Sequence, residues 1–346
     1  MSYFVGLDAS KATTHICILD RHGVVVAREQ VETSPKAIVA ALRGQRRRYA
    51  RVGMESWGMA TWLYEGLAKA GLPIICINAV HAHAYLKAQR NKTDRNDAAG
   101  IARLMQMGSY RVVHIKSRTS QEIRAALTAR QAISERLIGL QNTIRGILAG
   151  FGRKLPTGGR RTFEAHVASV TRGDSYLEAL VASLLAVRSS MCEQLDVLEG
   201  RLAAMAGDDP VCRRLMTAPG VGPIVSLEFR SAIDEPRRFP NSRLVGVHLG
   251  LTPRTRQSGP LSSSGGISRW GPSSVRRALY LAARSLCGVR KRPCWLTDWG
   301  NALAIRKGYK KAMIAVARKL AVVLHRMWIS ETDFAWSRPN ALDPRH

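Results

Sequence analysis

Short apolar runs divided by turn residues set the rhythm of the first hundred positions. YFVGL (Tyr3 to Leu7), HICIL (His15 to Leu19) and VVVA (Val24 to Ala27) have the length and β-branched content of strands. Asp20-Arg21-His22-Gly23, between the last two, predicts a hairpin turn in which Gly23 supplies positive φ. Ser34 before Pro35 predicts a helix start, a cap followed by proline at the first helical position. Ala50 to Met54 is a further strand that delivers Glu55; a helix then passes through Leu63 and Leu67 to a stop at Gly71, and Pro73 to Ile77 is another strand. Strands interleaved with helices after an opening antiparallel hairpin predict a mixed α/β sheet covered by helices over residues 1–115.

The period then changes. Thr119 with Glu122 reads as a capping box, and Ala126, Arg130, Ile133, Leu137, Leu140, Ile144 and Ile147 follow a heptad-like spacing. After a break over 150–161, Leu177, Val181, Leu184, Arg188, Met191, Leu195, Leu198 and Leu202 repeat it. Residues 116–206 are therefore expected to form two long helices, as a coiled-coil hairpin, a dimerisation arm or part of an ordinary bundle; spacing alone leaves these open. A mainly α region follows over 207–335, with helices near 273–288 and 309–328, and a polar tail over 336–346.

Charge adds a partner to this outline. The 346 residues carry 53 Lys and Arg against 25 Asp and Glu, a formal net charge of +28, which favours a polyanionic ligand. Twelve basic residues and no acidic one lie between Glu235 and Asp298, the stretch expected to meet phosphates. No apolar run is long enough to span a membrane and the N-terminus has no secretory pattern, so a cytosolic protein is expected. The six cysteines are scattered without a CxxC pair, which predicts buried small residues rather than a disulfide framework or zinc site.

Candidate chemistry begins with carboxylates. Asp8 ends the first strand and Glu55 another, while Asp94 and Asp97 sit three apart at the start of a predicted helix, hence on one face. Asp94 and Asp97 also suit a helix cap and a first-turn charge. An acid after a buried apolar strand needs a partner, and oxygen-only ligands favour magnesium or manganese over zinc. Farther on, Pro219-Gly220-Val221-Gly222 within LMTAPGVGPIVS looks like the turn of a helix-hairpin-helix element that offers backbone N–H groups to a phosphate; a plain turn between core helices fits as well.

GLDASK, MESWG and NKTDRNDA resemble the N-terminal domain of the DEDD-motif insertion-sequence transposases, the family numbered one hundred and ten that includes the Piv-type DNA invertases. That domain is similar to RuvC-type junction resolvases, with an RNase H-like fold, and the resemblance implies that Asp8, Glu55, Asp94 and Asp97 hold Mg2+ or Mn2+. Asp8 with Ser10 and Lys11 also suits the phosphate loop of a sugar-kinase-like ATPase. The segment Gly250 to Tyr280 resembles the same family's C-terminal domain, where a serine before glycine is the nucleophile; the matching residue is Ser258, with Ser263 and Ser264 as fallbacks. Arg269 stands where typical members have lysine.

The resemblance implies a transposase that cuts and rejoins DNA through a phosphoserine, guided by an element-encoded noncoding RNA and assembled as a tetramer, a dimer of dimers. Lys11, Lys92, Gly220, Gly222, Arg254, Arg256, Arg269, Arg276 and Arg277 are the expected nucleic-acid contacts. The competing readings are a hydrolytic Holliday-junction resolvase and a noncatalytic nucleic-acid-binding protein.

Overall fold

The computed structural model describes residues 2–87, 93–258, 261–288 and 293–337. The chain forms two compact units, Met1–Lys116 and Ser117–His346.

In the first unit, β1 (Tyr3–Ala9), β2 (Thr13–Leu19), β3 (Val25–Glu32), β4 (Tyr49–Glu55) and β5 (Ile74–Ile77) build one mixed sheet in the order β3-β2-β1-β4-β5. The first three strands are antiparallel neighbours, whereas β4 runs parallel to β1 and β5 parallel to β4. This mixed α/β arrangement is consistent with an RNase H-like domain. The first hairpin turns as its residues dictate: Asp20 Oδ1 accepts from the N–H groups of His22 (2.8 Å) and Val24 (2.9 Å), and Gly23 takes φ of 82°. β3 runs five residues beyond the apolar stretch that marks it, because an edge strand tolerates the alternating polar positions Arg28, Gln30 and Glu32.

Helices cover the sheet on both faces. Val5, Leu7, Ile16, Ile18, Val52 and Met54 pack on α1 (Pro35–Gly44) and α2 (Ala60–Lys69). Cys17 and Leu19 on the opposite face meet Ala98 and Ala102 of α4 (Asp94–Met107), and α3 (Ala79–Leu86) precedes that helix. Ser34 caps α1 by accepting from Ala37 N at 3.1 Å, as its sequence predicts.

The second unit opens with α5 (Arg118–Gly150), followed by α6 (Phe163–Thr171) and α7 (Ser175–Asp208). Ile123 and Leu127 near the start of α5 pack with Leu202 and Ala206 near the end of α7, while Ile144 and Leu148 pack with Leu177 and Val181, so the two long helices run antiparallel. The seam of α7 follows prediction, with Leu177, Val181, Arg188, Leu195 and Leu202 buried. Along α5, Leu137 and Ile144 are in the buried row as predicted, but Ile123, Leu127 and Leu148 join them in place of Ala126 and Ile147. The start of α5 also differs from the expected capping box. Ser117 is the cap, accepting from Ser120 N at 3.2 Å, because its own backbone and hydroxyl are tied to the Asp234 carboxylate; Glu122 pairs instead with Arg118 at 2.8 Å. Arg188, only 3% exposed, is tolerated in the α7 seam because it meets the Glu164 carboxylate at 2.5 Å and lies over the Phe163 ring.

Beyond the long helices come α8 (Pro210–Leu215), α9 (Pro223–Ile233), α10 (Arg243–His248), the ribbon β6 (Pro253–Ser258) and β7 (Leu261–Ile267), then α11 (Ser273–Leu286), α12 (Trp295–Lys307) and α13 (Tyr309–Ser330). Their shared core is built on Leu215, Phe229, Val245, Leu279, Val316 and Leu320, among others. His325 of α13 is fully buried; its Nε2 lies 2.9 Å from the Pro236 carbonyl and its Nδ1 2.9 Å from Ser242 Oγ. A carbonyl only accepts, so the network assigns the proton to Nε2 and leaves Nδ1 to accept from the serine. Cys17, Cys76, Cys212 and Cys294 are buried, Cys192 and Cys287 partly so, and all six are free thiols. Burial pushes Cys212 up to about 12 and, with the charge of Glu55 adding to it, Cys76 up to about 11, so both behave as inert packing groups.

Candidate active site

Two glycines make the first site possible. Gly6 of β1 and Gly53 of β4 are register partners on neighbouring parallel strands, and both face α4. A Cβ on Gly6 would lie 2.1 Å from the Ala98 carbonyl oxygen and 2.3 Å from Ala102 N; one on Gly53 would lie 2.6 Å from Met105 Cγ. The helix thus rests almost directly on the strand backbones. Side chains two apart on a strand share a face, so Asp8 and Glu55 point to the face on which α4 lies.

At this end of the sheet α4 begins. Its cap is Thr93, whose Oγ1 accepts from Asn96 N at 3.2 Å, so Asp94 is the first helical residue and not the cap. Asp94 and Asp97 both lie in the first turn, where the helix dipole favours negative charge. Asp94 Oδ2 lies 3.8 Å from Nε2 of His15, and His15 is the register partner of Asp8 across the β1–β2 pair. Backbone and register therefore bring Asp8, Glu55, Asp94 and Asp97 to one end of one sheet face. They do not draw the carboxylates into a finished shell: among the described residues no three His, Cys, Asp or Glu side chains are grouped to hold a metal, and Asp94 is 74% exposed. In donor type the four suit a hard divalent cation. His15 was missed by sequence reasoning; the alternation of HICIL, which turns His15, Cys17 and Leu19 to one face, was the available signal.

Of the expected nucleic-acid contacts in this unit, Lys11 is exposed in the β1–β2 turn, where Ser10 Oγ accepts from Thr13 N at 3.1 Å. Lys92 lies outside the described residues.

In the second unit the serine-rich segment is a two-stranded ribbon, with Ser258 opposite Leu261, Arg256 opposite Ser263 and Thr255 opposite Ser264. Short polar residues carry no apolar alternation, which is why the ribbon was invisible as strands. The side chains of Arg256, Ser258 and Ser264 lie outside the described residues; Ser263 is exposed. Arg254 is exposed and donates to the Ser268 carbonyl at 3.3 Å, and Arg269, also exposed, has a left-handed backbone with φ of 59°.

Two of the expected contacts have a place in the fold as well. Arg276 spends its guanidinium on backbone, with Nη1 reaching the carbonyls of Gly271 (2.8 Å), Trp270 (3.1 Å), Pro272 (3.2 Å) and Leu249 (3.3 Å). Gly220, φ 82°, lies against α11, where a Cβ would sit 2.5 Å from the Ala282 carbonyl oxygen, so its need for glycine is one of close packing. Gly222 precedes α9 with open space around it, and Arg277 is exposed beside Glu135 at 3.4 Å. A further basic corner joins α12 to α13, where Arg306, Lys307, Lys310 and Lys311 are all exposed around Tyr309. No helix among the described residues is long and apolar enough to cross a membrane.

Comparison with known proteins places this geometry. Residues 5–152 match the model of the DEDD transposases of IS110, and residues 212–299 match that of the transposase IS116/IS110/IS902 family. The chain is 29% identical to the transposase for insertion sequence element IS1111A of Coxiella burnetii, over 92% of its own length and 88% of the relative's. It is 26% identical to the transposase for insertion sequence element IS1328 of Yersinia enterocolitica (95% and 96% covered), and 27% identical to a probable family 20 transposase of Pseudomonas aeruginosa (95% and 98% covered). With both ends of the chain matched and its acidic positions gathered at one sheet end, the protein belongs to the IS110 family of insertion-sequence transposases, enzymes that cleave and recombine DNA.

Proposed function

We propose that this transposase excises and inserts its element by conservative strand exchange, with Ser258 as nucleophile and the four carboxylates as its divalent-metal site. The observation that carries the reading is the Gly6–Gly53 floor, which lets α4 bring Asp94 and Asp97 to the strand ends that bear Asp8 and Glu55. These four residues are the ones that would hold magnesium or manganese, which when bound stabilises charge on a phosphodiester under attack.

The serine chemistry balances without an external energy source. Ser258 Oγ bonds to phosphorus and loses its proton, the bond from phosphorus to a deoxyribose oxygen breaks, and that oxygen takes up a proton as it leaves. A hydroxyl from another strand then attacks the phosphoserine and regenerates the serine, so the phosphodiester is conserved. Arg254, Arg256 and Arg269 are the cations nearest in sequence to that serine, and they lie in a stretch of twelve basic residues without an acid, which suits a phosphate that must be held through both steps. Guidance by an element-encoded noncoding RNA and assembly as a tetramer complete the reading; a net charge of +28 suits two nucleic acids at once.

The test is a trapping assay with a nicked donor substrate on a denaturing gel. The expected result is a covalent protein–DNA adduct that disappears in Ser258→Ala, while Asp8→Asn loses both adduct and cleavage with DNA binding intact. Cleavage surviving in Ser258→Ala but not in Asp8→Asn would instead make water the nucleophile. Sequencing RNA that copurifies with the full chain tests the guide, and sedimentation of the loaded complex tests the tetramer.

A further inference from the structure

Among the exposed aromatic side chains of the second unit, one stands in its cationic stretch, between Glu235 and Asp298. Trp270, just after β7, is 63% exposed. An indole in water forfeits the burial that makes the residue useful to a core, and tryptophan is enriched at binding interfaces.

Its backbone is held firmly. Arg276 fastens the carbonyls of Trp270, Gly271 and Pro272 to that of Leu249. Ser268 N donates to the Thr252 carbonyl at 2.8 Å and Arg269 N to the Gly250 carbonyl at 3.2 Å. The two chain segments touch backbone to backbone: a Cβ on Gly250 would lie 2.1 Å from the Trp270 carbonyl oxygen, and one on Gly271 2.2 Å from that of His248. Left-handed residues flank the tryptophan, Arg269 at φ 59° and Gly271 at φ 83°. A non-glycine residue keeps such a conformation only where its surroundings over-determine it, and such strain gathers at working sites.

The surroundings are cationic. Arg269 and Arg254 are exposed beside it, Arg254 is bonded to the Ser268 carbonyl, and no acidic residue occurs between Glu235 and Asp298. An exposed indole on a firmly held backbone, among guanidinium groups, matches a ligand that pairs flat, unstacked rings with closely spaced negative charge. Paired duplex hides its base faces in the stack, whereas a single strand offers them.

We propose that Trp270 is a stacking platform for an unpaired base of single-stranded nucleic acid, with Arg269 and Arg254 holding the flanking phosphates at the foot of the ribbon that carries Ser258. This rests on nucleic acid being the substrate, and it adds strand recognition by Trp270, a side chain with no part in bond breaking.

The experiment measures fluorescence anisotropy of the full-length protein with labelled oligothymidylate, oligouridylate and a blunt DNA duplex, for wild type, Trp270→Ala and Trp270→Phe. Loss of one base-stacking contact is expected to raise Kd for single strands roughly 5- to 150-fold in Trp270→Ala, with Trp270→Phe within a few-fold of wild type and duplex affinity unchanged. A loss confined to oligouridylate assigns the platform to RNA, one confined to oligothymidylate to DNA, and either supports it. Single-strand affinity at the wild-type level in Trp270→Ala would overturn the proposal, as would an equal loss on duplex. A change in sedimentation with unchanged oligonucleotide affinity would assign Trp270 to contact between copies and also overturn it. Wild-type protein that bound no nucleic acid would fail the broader functional reading, an outcome distinct from failure of Trp270 alone.

Discussion

Replacing Gly6 with alanine adds one methyl group where β1 and α4 have no room for it. The new carbon would lie 2.1 Å from the Ala98 carbonyl oxygen, 2.3 Å from Ala102 N and 3.0 Å from Ala102 Cα. All three are backbone atoms, so no side chain can swing aside, and the helix must move by about 1 Å in a close-packed interior. Overpacking of this kind costs about 1–3 kcal/mol, and a purely backbone clash belongs at the top of that range. Alanine's smaller unfolded-state entropy returns about 0.4–1 kcal/mol, leaving a net loss of about 2 kcal/mol. Gly53→Ala is the internal control: its clash is with Met105 Cγ, Sδ and Cε at 2.6 to 2.9 Å, a flexible side chain that can repack for about 1 kcal/mol or less. Hydrogen exchange of the β1 and β4 amides in the full chain reads these local free energies. Because α4 carries Asp94 and Asp97, the proposed metal ligands, a displacement of about 1 Å should also slow DNA cleavage by about 100-fold in Gly6→Ala. Equal exchange protection in Gly6→Ala and wild type, or a larger loss in Gly53→Ala than in Gly6→Ala, would refute the reasoning.

Two further outcomes follow from the second unit. Burial holds the His325 imidazole below its ordinary value, so the unfolded chain binds the proton more readily; stability from this residue is full above the unfolded value of about 6.5 and is lost as pH falls below it, with a slope of at most about 1.4 kcal/mol per pH unit. His325→Gln should flatten the pH dependence of the urea midpoint between pH 5 and 7, and an unchanged slope would rule the histidine out as its source. Lys310 and Lys311, exposed at the α12–α13 corner, are expected to contact phosphate, so replacing both with alanine should reduce the slope of log K against log salt by about 2 without altering sequence preference; a slope equal to wild type would mean the corner does not touch nucleic acid.

The parts of the fold that were legible in the sequence are those where one face is buried and the other is not. Val5 and Leu7 on β1, Ile16 and Ile18 on β2, and the seven-residue spacing from Val181 through Arg188 and Leu195 to Leu202 on α7 all announce their burial through period. Less legible were features set by partners distant in sequence. Asp234 ties down Ser117 and so starts α5 ahead of the capping box that local residues suggest. The ribbon from Pro253 to Ile267 consists largely of Thr, Ser, Gln, Arg and Gly, and only its ladder makes it a pair of strands. At the candidate site the acids were readable because each lies close to the end of an element, Asp8 and Glu55 in the last two residues of β1 and β4 and Asp94 and Asp97 in the first turn of α4. Gly6 and Gly53 were not, since a glycine that lets a helix approach has the same sequence signature as one in a loose turn; nor was Arg276, whose four carbonyl partners lie in two separate segments.

The two-stranded ribbon has a mechanical consequence. A lone pair of strands holds its shape poorly in water, so its direction is set at the foot, where Arg254, Arg276, Gly250 and Gly271 fasten the chain. From Pro253 to Ser258 it extends for six residues, roughly 20 Å at about 3.3 Å per residue. A lever of that length turns a tilt of 10°, roughly what small rearrangements at a packed foot allow, into a displacement of about 3 Å at Ser258, comparable to the separation of reacting atoms in a near-attack geometry. Contacts made at the foot thereby set the position of Ser258, the proposed nucleophile, at the far end of the strand.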